Sequence, residues 1–351
     1  MRVKKLTALL TGGAMAASVL TGCGGLNKDA DAAVFDETKV SLGLANFAVR
    51  LYQAGYDDYY RSIFGEEVWI SDLFGGGMTM EQEAKQSTLD GLKTMYILRA
   101  HMDEYSVAVT EEDNEAIREA AAAFIADNRQ DALNALGAEQ EIVEEYLTLQ
   151  TIQSRMQDAI MAETDTSVSD EEAATGTYSY VTVSRKTHVD EEGNSVEYTE
   201  EEQAALKETM EKVAEEAKAD SLENAAAKQE YTVSSGTFTA EDESLDEAVL
   251  AALKGLGEGE VSGVTETEEN YYILRLDAEK DADATEATRK SIIEDRRSEH
   301  YDEVVTGWEE GHTWTVNEKN WEKVEFDNLF TTTVESTEAE PVEGMTEEQA
   351  D

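Results

Sequence analysis

Few residues in this 351-residue chain could do covalent or metal chemistry. It holds one cysteine, Cys23, so it has no partner for an intrachain disulfide and no thiolate cluster for zinc. Its four histidines, His101, His188, His300 and His312, fall in no HExxH pairing, and no glycine-rich phosphate loop occurs. His101, His300 and His312 read as surface or interfacial residues of helical and terminal segments. The run Asp277-Ala278-Glu279-Lys280-Asp281-Ala282-Asp283 imitates the start of a calcium loop. It has Ala282 where the turn needs glycine, and Thr288 where a bidentate glutamate belongs. The expectation is no metal and no cofactor.

Cys23 matters for a different reason. Arg2, Lys4 and Lys5 open the chain, an apolar stretch fills 6–20, and Leu20-Thr21-Gly22 precedes the thiol. A basic start, a short apolar run and small residues at a cut make a secretory leader, too short to span a bilayer comfortably. The stretch resembles a bacterial lipoprotein signal with Leu-Thr-Gly-Cys as its lipobox. The resemblance implies removal of residues 1–22, diacylation of Cys23, and a mature protein tethered to the extracytoplasmic face of the cell membrane. Two or more acyl chains hold stably where one does not.

Charge narrows the partners. There are 28 basic and 78 acidic residues, a formal net charge of −50, and loss of the leader removes Arg2, Lys4, Lys5 and no acid. Such a field repels nucleic acid and anionic lipid surfaces and favours solubility. With 40% hydrophobic residues, the chain can still build cores.

The elements that would position any site fall into three blocks. Residues 23–36 read as a tether. Helical patterns then cover 41–63, rich in aromatics (Phe47, Tyr52, Tyr56, Tyr59, Tyr60, Phe64), and 79–105, opened by a capping box at Thr79 and Gln82. They continue over 110–126, capped by Thr110, and 138–163; Gly75, Gly76 and Gly77 read as a hinge. Past Val168-Ser169-Asp170 the pattern changes. A strand at 177–184 precedes a helix capped by Thr199 and Glu202 and a short helix near 222–228. A strand and turn at 231–239, a helix at 244–254 and strands at 260–265 and 271–277 follow. That β-α-α-β-α-β-β order describes a small α+β domain over 165–282. Helix returns over 284–311, a strand-like end covers 312–326, and 331–351 reads as an acidic disordered tail. The fold class expected is α+β: helical parts at 37–164 and 283–330 with an inserted α+β domain.

This plan behind a lipobox resembles the PrsA-type extracytoplasmic foldases and, more loosely, the SurA-type periplasmic chaperones. The most specific local match runs through Ser235-Gly236-Thr237-Phe238, then Leu245 to Leu253, then Gly259-Glu260-Val261-Ser262-Gly263-Val264 and Tyr271-Tyr272-Ile273-Leu274-Arg275-Leu276. Val168-Ser169-Asp170-Glu171-Glu172 resembles the usual lead-in to the domain. The resemblance implies a helical chaperone cradle and an inserted parvulin-type peptidyl-prolyl isomerase domain of FKBP-like α+β fold.

Prolyl isomerisation needs no nucleophile. The C–N rotation barrier of ~18–20 kcal/mol falls when amide resonance weakens, as in a desolvated pocket with suitable hydrogen-bonding groups. Parvulins place one histidine on the first strand and one on the last. Here the resemblance puts Tyr180 and Tyr272 in those catalytic positions, with Phe238, Leu245 and Tyr231 as substrate-binding residues. An alternative register aligns Arg185-Lys186-Thr187-His188-Val189 with the first-histidine motif. The expected partners are unfolded or partly folded secreted proteins and the membrane, through the lipid anchor. A homodimer is left open. Met78, Met80, Met95, Met102, Met156 and Met161 would suit either an adaptable client surface or ordinary helix packing. The alternative function is a non-catalytic envelope-structural or solute-binding lipoprotein. A solute-binding protein would usually show two α/β lobes, which the helical first half does not suggest.

Overall fold

Three threonines start three of the main helices by the same device. The Thr79 and Thr199 side chains accept from Gln82 N and Glu202 N, and Gln82 and Glu202 reach back to the cap N–H. Thr110 forms the same reciprocal pair with Asp113. Each box satisfies two of the N–H groups that a helix start leaves without partners. The computed structural model describes residues 14–17, 26–189 and 193–333, and it divides into residues 1–163 with 300–351, and residues 164–299.

In the first unit, strand β1 (Ala14–Ala17) lies within the expected leader, whereas Cys23 falls outside the described residues. β2 (Asp31–Phe35) and β3 (Thr38–Ser41) form a hairpin that turns at Asp36, φ 51°. This corrects the tether expected over 23–36, because Ala32 and Ala33 are fully buried in the core. Helix α1 (Leu42–Phe64) is capped by Ser41 and packs on two sides. Leu42, Ala45 and Val49 share a core with Leu89, Leu92 and Tyr96 of α2 (Met80–Ala100). Phe47, Leu51 and Ala54 share another with α3 (Glu111–Asp127), α4 (Gln130–Leu136) and α5 (Gln140–Met161). Met80, Met95 and Met156 are buried, so of the two roles open to the methionines these three take helix packing.

The second unit is built on β4 (Thr175–Ser184), with β5 (Thr187–Val189) and β6 (Ser195–Glu197) as a separate hairpin. Then come α6 (Glu200–Ala219), α7 (Leu222–Ala227), β7 (Ser234–Thr239), α8 (Glu247–Gly255), β8 (Val261–Glu266) and β9 (Asn270–Ala278). The sheet order is β7-β4-β9-β8, antiparallel throughout. Strand alternation splits the side chains between two faces. Val181, Tyr271 and Ile273 meet α6 and α7 on one face, and Tyr178, Leu274 and Leu276 meet α8 on the other. Helix α9 (Ala282–Glu309) follows, and the second unit extends to residue 299 rather than ending at 282. Thr285 Oγ1 accepts from Thr175 N, and Arg289 bonds Asp170 at 2.7 Å, which ties the start of α9 to the lead-in segment.

The first unit closes with β10 (Trp314–Val316), which joins the hairpin in the order β10-β2-β3, then α10 (Glu318–Trp321) and β11 (Phe330–Thr333). One stripe of α1 grips this last stretch. Arg50 donates to Glu325 O (2.6 Å), Gln53 to Asn328 O (2.9 Å), and Arg61 to Phe330 O (3.0 Å), while Asp57 accepts from Phe330 N (2.5 Å). These residues recur at helical spacing, so their side chains lie above one another. Thr331 to Thr333 are therefore strand rather than the start of a disordered tail, and 334–351 lie outside the described residues. Among the described residues no helix is long and apolar enough to cross a membrane.

Candidate functional site

On the α8 face of the second unit, aromatic rings follow one another along the sheet. Tyr180 pairs with Leu274 in register and Thr182 with Tyr272, so the two tyrosines sit diagonally on adjacent strands. Their ring centroids are 6.0 Å apart, Tyr178 lies 5.5 Å from Tyr180, and Phe238 meets Tyr178 edge-on at 6.0 Å. Tyr180, Tyr272 and Leu245 are partly buried against the cluster formed by Tyr178, Phe238, Val249, Leu253, Leu274 and Leu276. Burial, with the neighbouring tyrosines and Asp242, raises the Tyr178 hydroxyl above its ordinary range, so it stays a neutral hydrogen-bonding group.

Two glycines make room for the rings. A Cβ on Gly236, which pairs with Tyr178, would lie 2.7 Å from that ring. One on Gly176, opposite Phe238, would overlap the Phe238 ring. Strand β8 carries a bulge between Val261 and Val264, and Ser262 repairs the ladder there: its hydroxyl accepts from Leu274 N at 2.9 Å. An open groove of about 700 Å³ runs along the start of α8. Asp246, Glu247 and Ala251 line one wall, and Glu266, Thr267 and Glu268 the other. Arg185 braces that second wall by pairing with Glu266 at 2.6 Å and donating to Thr267 O at 2.8 Å.

Four of the five residues named from the sequence, Tyr180, Tyr272, Phe238 and Leu245, thus meet on one face. Tyr231 does not. It packs with Val233 against the α6–α7 cluster on the opposite face, because β7 begins only at Ser234, after a turn with Glu230 at φ 58°. His188 is on the separate β5–β6 hairpin, stacked on Tyr198 at 4.6 Å, so Tyr180 and not His188 stands beside β9.

Residues 184–289 match the family model described as the PPIC-type PPIASE domain. The second unit carries a parvulin-type domain. The matched range takes in Phe238, Leu245 and Tyr272 and begins just after Tyr180. Among solved structures, the chain is similar to PrsA foldase from Lactococcus lactis, at 17% identity over 68% of this chain and 87% of that one, TM-score 0.31. Similar too are a PrsA peptidylprolyl isomerase from Bacillus cereus (18%, 73% and 96%, TM-score 0.32) and a SurA-like chaperone from Campylobacter jejuni (11%, 82% and 99%, TM-score 0.28). No curated protein matches the chain.

Outside the parvulin-type domain, the first unit has a surface that sequence reasoning only half anticipated. Tyr52, Tyr56, Tyr59, Ile63 and Phe64 of α1, with Ile70 and Phe74 just beyond it, are all exposed, Phe74 by 74%. Tyr56 and Tyr60 stack at 5.3 Å, and Tyr60 meets Trp69 at 5.6 Å, whose indole donates to Asp57 at 3.0 Å. Tyr52 is the least exposed of the α1 residues in this set, and its partly desolvated hydroxyl, bonded to that of Tyr60, is held well above the usual tyrosine range. An apolar patch this continuous is a mark of an interaction surface. Sequence reading also missed that His101 and His312 meet, Nε2 to Nε2 at 3.0 Å. Their Nδ1 atoms face Glu104 and Asp36, and the His101 ring lies flat on Trp308 at 4.1 Å. Nothing local in the sequence links residues so far apart.

Proposed function

We propose that this protein is a lipid-anchored extracytoplasmic foldase, which holds unfolded secreted proteins on its helical unit and acts on their Xaa-Pro bonds with its parvulin-type domain. The observation that carries this reading is the aromatic face on which Tyr178 and Tyr180 meet Tyr272 and Phe238, the last two within the segment that matches the isomerase family. Amide resonance is favoured by water, because the planar form separates charge. Moving the bond onto an apolar face lowers the cost of twisting it. Phe238 and Leu245 would take the proline ring, and the Tyr180 and Tyr272 hydroxyls would hydrogen-bond the amide as it leaves planarity. A neutral phenol both donates and accepts, so neither tyrosine needs to change charge for this. Isomerisation by these groups is chiefly selective binding of the twisted amide. The exposed aromatics of α1 supply sequence-tolerant apolar contact for clients, and the acidic surface keeps the loaded complex soluble.

The experiment is refolding of a secreted, proline-limited protein by the mature chain with Cys23→Ser. The reading expects less aggregation and a faster slow phase. A client that aggregates and refolds as it does alone would favour the envelope-structural alternative.

A further inference from the structure

Strand β1 occupies a slot with two polar edges and an apolar floor. On one side it pairs antiparallel with β11, Ala14 to Thr333 through Ala17 to Phe330. On the other, Met15 N donates to Asn128 Oδ1 at 2.8 Å, and Arg129 N donates to Met15 O at 3.4 Å. The Met15 side chain is fully buried in the cluster that includes Phe47, Leu51, Phe124, Leu133 and Phe330. The backbone geometry accounts for both edges. The N–H and C=O of one strand residue point the same way and alternate along the chain. Met15 turns its pair to Asn128 and Arg129, so Ala14 and Ala16 turn theirs to β11. Phe330 spends its pair on Asp57 and Arg61 of α1, so Thr331 turns its pair to β1.

Two anchor points of the slot are held by groups other than its occupant, at Phe330 and at Asn128. Phe330, the first residue of β11, is clamped from α1 by Asp57 and Arg61, and Asn128 donates its own amide to Phe124 O at 2.8 Å, which leaves Oδ1 free to accept from the occupant. The occupant is the part of the chain that the sequence assigns to a removable leader. We infer that cleavage before Cys23 opens this slot, and that it then receives an extended segment of an unfolded client, a large apolar residue flanked by small ones, as an added strand. This rests on the foldase reading. Main-chain bonds on both edges would accept many sequences, and the Met15 cavity would select for one apolar side chain in register. Until cleavage, the leader itself blocks the site.

The test uses the mature chain from residue 23 with Cys23→Ser, the same chain with residues 1–22 retained, and a fluorescent peptide of residues 12–19 as probe. Saturable binding to the mature chain, abolished in the leader-containing chain and weakened about tenfold or more when the probe carries Met15→Asp, is the expected result. Asn128→Ala should weaken binding too, and the probe substitution keeps the test sharp if that variant folds poorly. No binding to the mature chain, binding equal in both chains, or a membrane-extracted protein whose mass still includes residues 14–17 would each overturn the inference. Dimerisation of the mature chain that competes with the probe would overturn it by assigning the slot to a second copy. Client aggregation is followed in parallel. Suppression without probe binding removes the slot and leaves the foldase reading, whereas probe binding without suppression overturns the foldase reading and, with it, a client as the slot's occupant.

Discussion

Tyr180 and Tyr272 stand on neighbouring strands of one sheet, on the same face, with ring centroids 6.0 Å apart and one pleat step out of direct register. That offset leaves their two hydroxyls on one aromatic surface beside Phe238 and Tyr178, next to the helix that walls the 700 Å³ groove.

The rings that flank this pair depend on two missing side chains. Gly236→Ala would put a methyl 2.7 Å from the Tyr178 ring, and Gly176→Ala would drive into Phe238. Each should destabilise the parvulin-type domain by about 1–3 kcal/mol and displace the rings. Urea unfolding and near-ultraviolet circular dichroism would read the two effects.

Asp57 takes three donors in a fully buried position: Trp69 Nε1 at 3.0 Å, Arg61 Nε at 3.1 Å and Phe330 N at 2.5 Å. Asp57→Ala leaves all three without an acceptor and should cost about 3–5 kcal/mol in the first unit. Amide exchange at Phe330 should accelerate more than exchange within α5.

Acid should weaken the first unit through Asp113. Burial raises its carboxyl, but hydrogen bonds from Arg155 and Thr110 outweigh that and hold it at about 2, below its ordinary 3.8. The stabilisation is therefore present in full above pH 3.8 and is lost as pH falls toward 2. It amounts to about 2 kcal/mol, and Asp113→Asn should remove that part of the acid dependence. Denaturant titrations between those pH values would show it.

The exposed aromatics should matter to clients and not to folding. Tyr59→Ser, Phe64→Ser and Phe74→Ser together should shift stability by about 1 kcal/mol or less, since all three are largely solvent-exposed. Light scattering of an aggregating client should rise several-fold relative to the unaltered chain. Unchanged scattering would move client holding elsewhere.

The parts legible in the sequence were those set by near neighbours. Thr79, Thr110 and Thr199 announce their helices within four residues, and the alternation in β4 and β9 puts Tyr180 and Tyr272 on one face. What escaped were pairings between the ends of the chain. Asp31–Phe35 opens on Asp31, Ala32 and Ala33, which carry little strand preference, and its pairing with β10 lies at the far end of the chain. Asp57 and Phe330, or His101 and His312, share no local signal at all. Tyr231, named by resemblance, lies on the other face because the backbone turns at Glu230 and β7 begins only at Ser234.

The most direct test is prolyl cis/trans isomerisation over a panel of Xaa-Pro peptides with the mature chain carrying Cys23→Ser. The account predicts a rate that rises in proportion to protein concentration and falls about tenfold with Tyr180→Phe or Tyr272→Phe, each variant keeping the native fold. A flat response across the panel, or a rate that neither substitution alters, would contradict a catalytic pocket built on these two tyrosines.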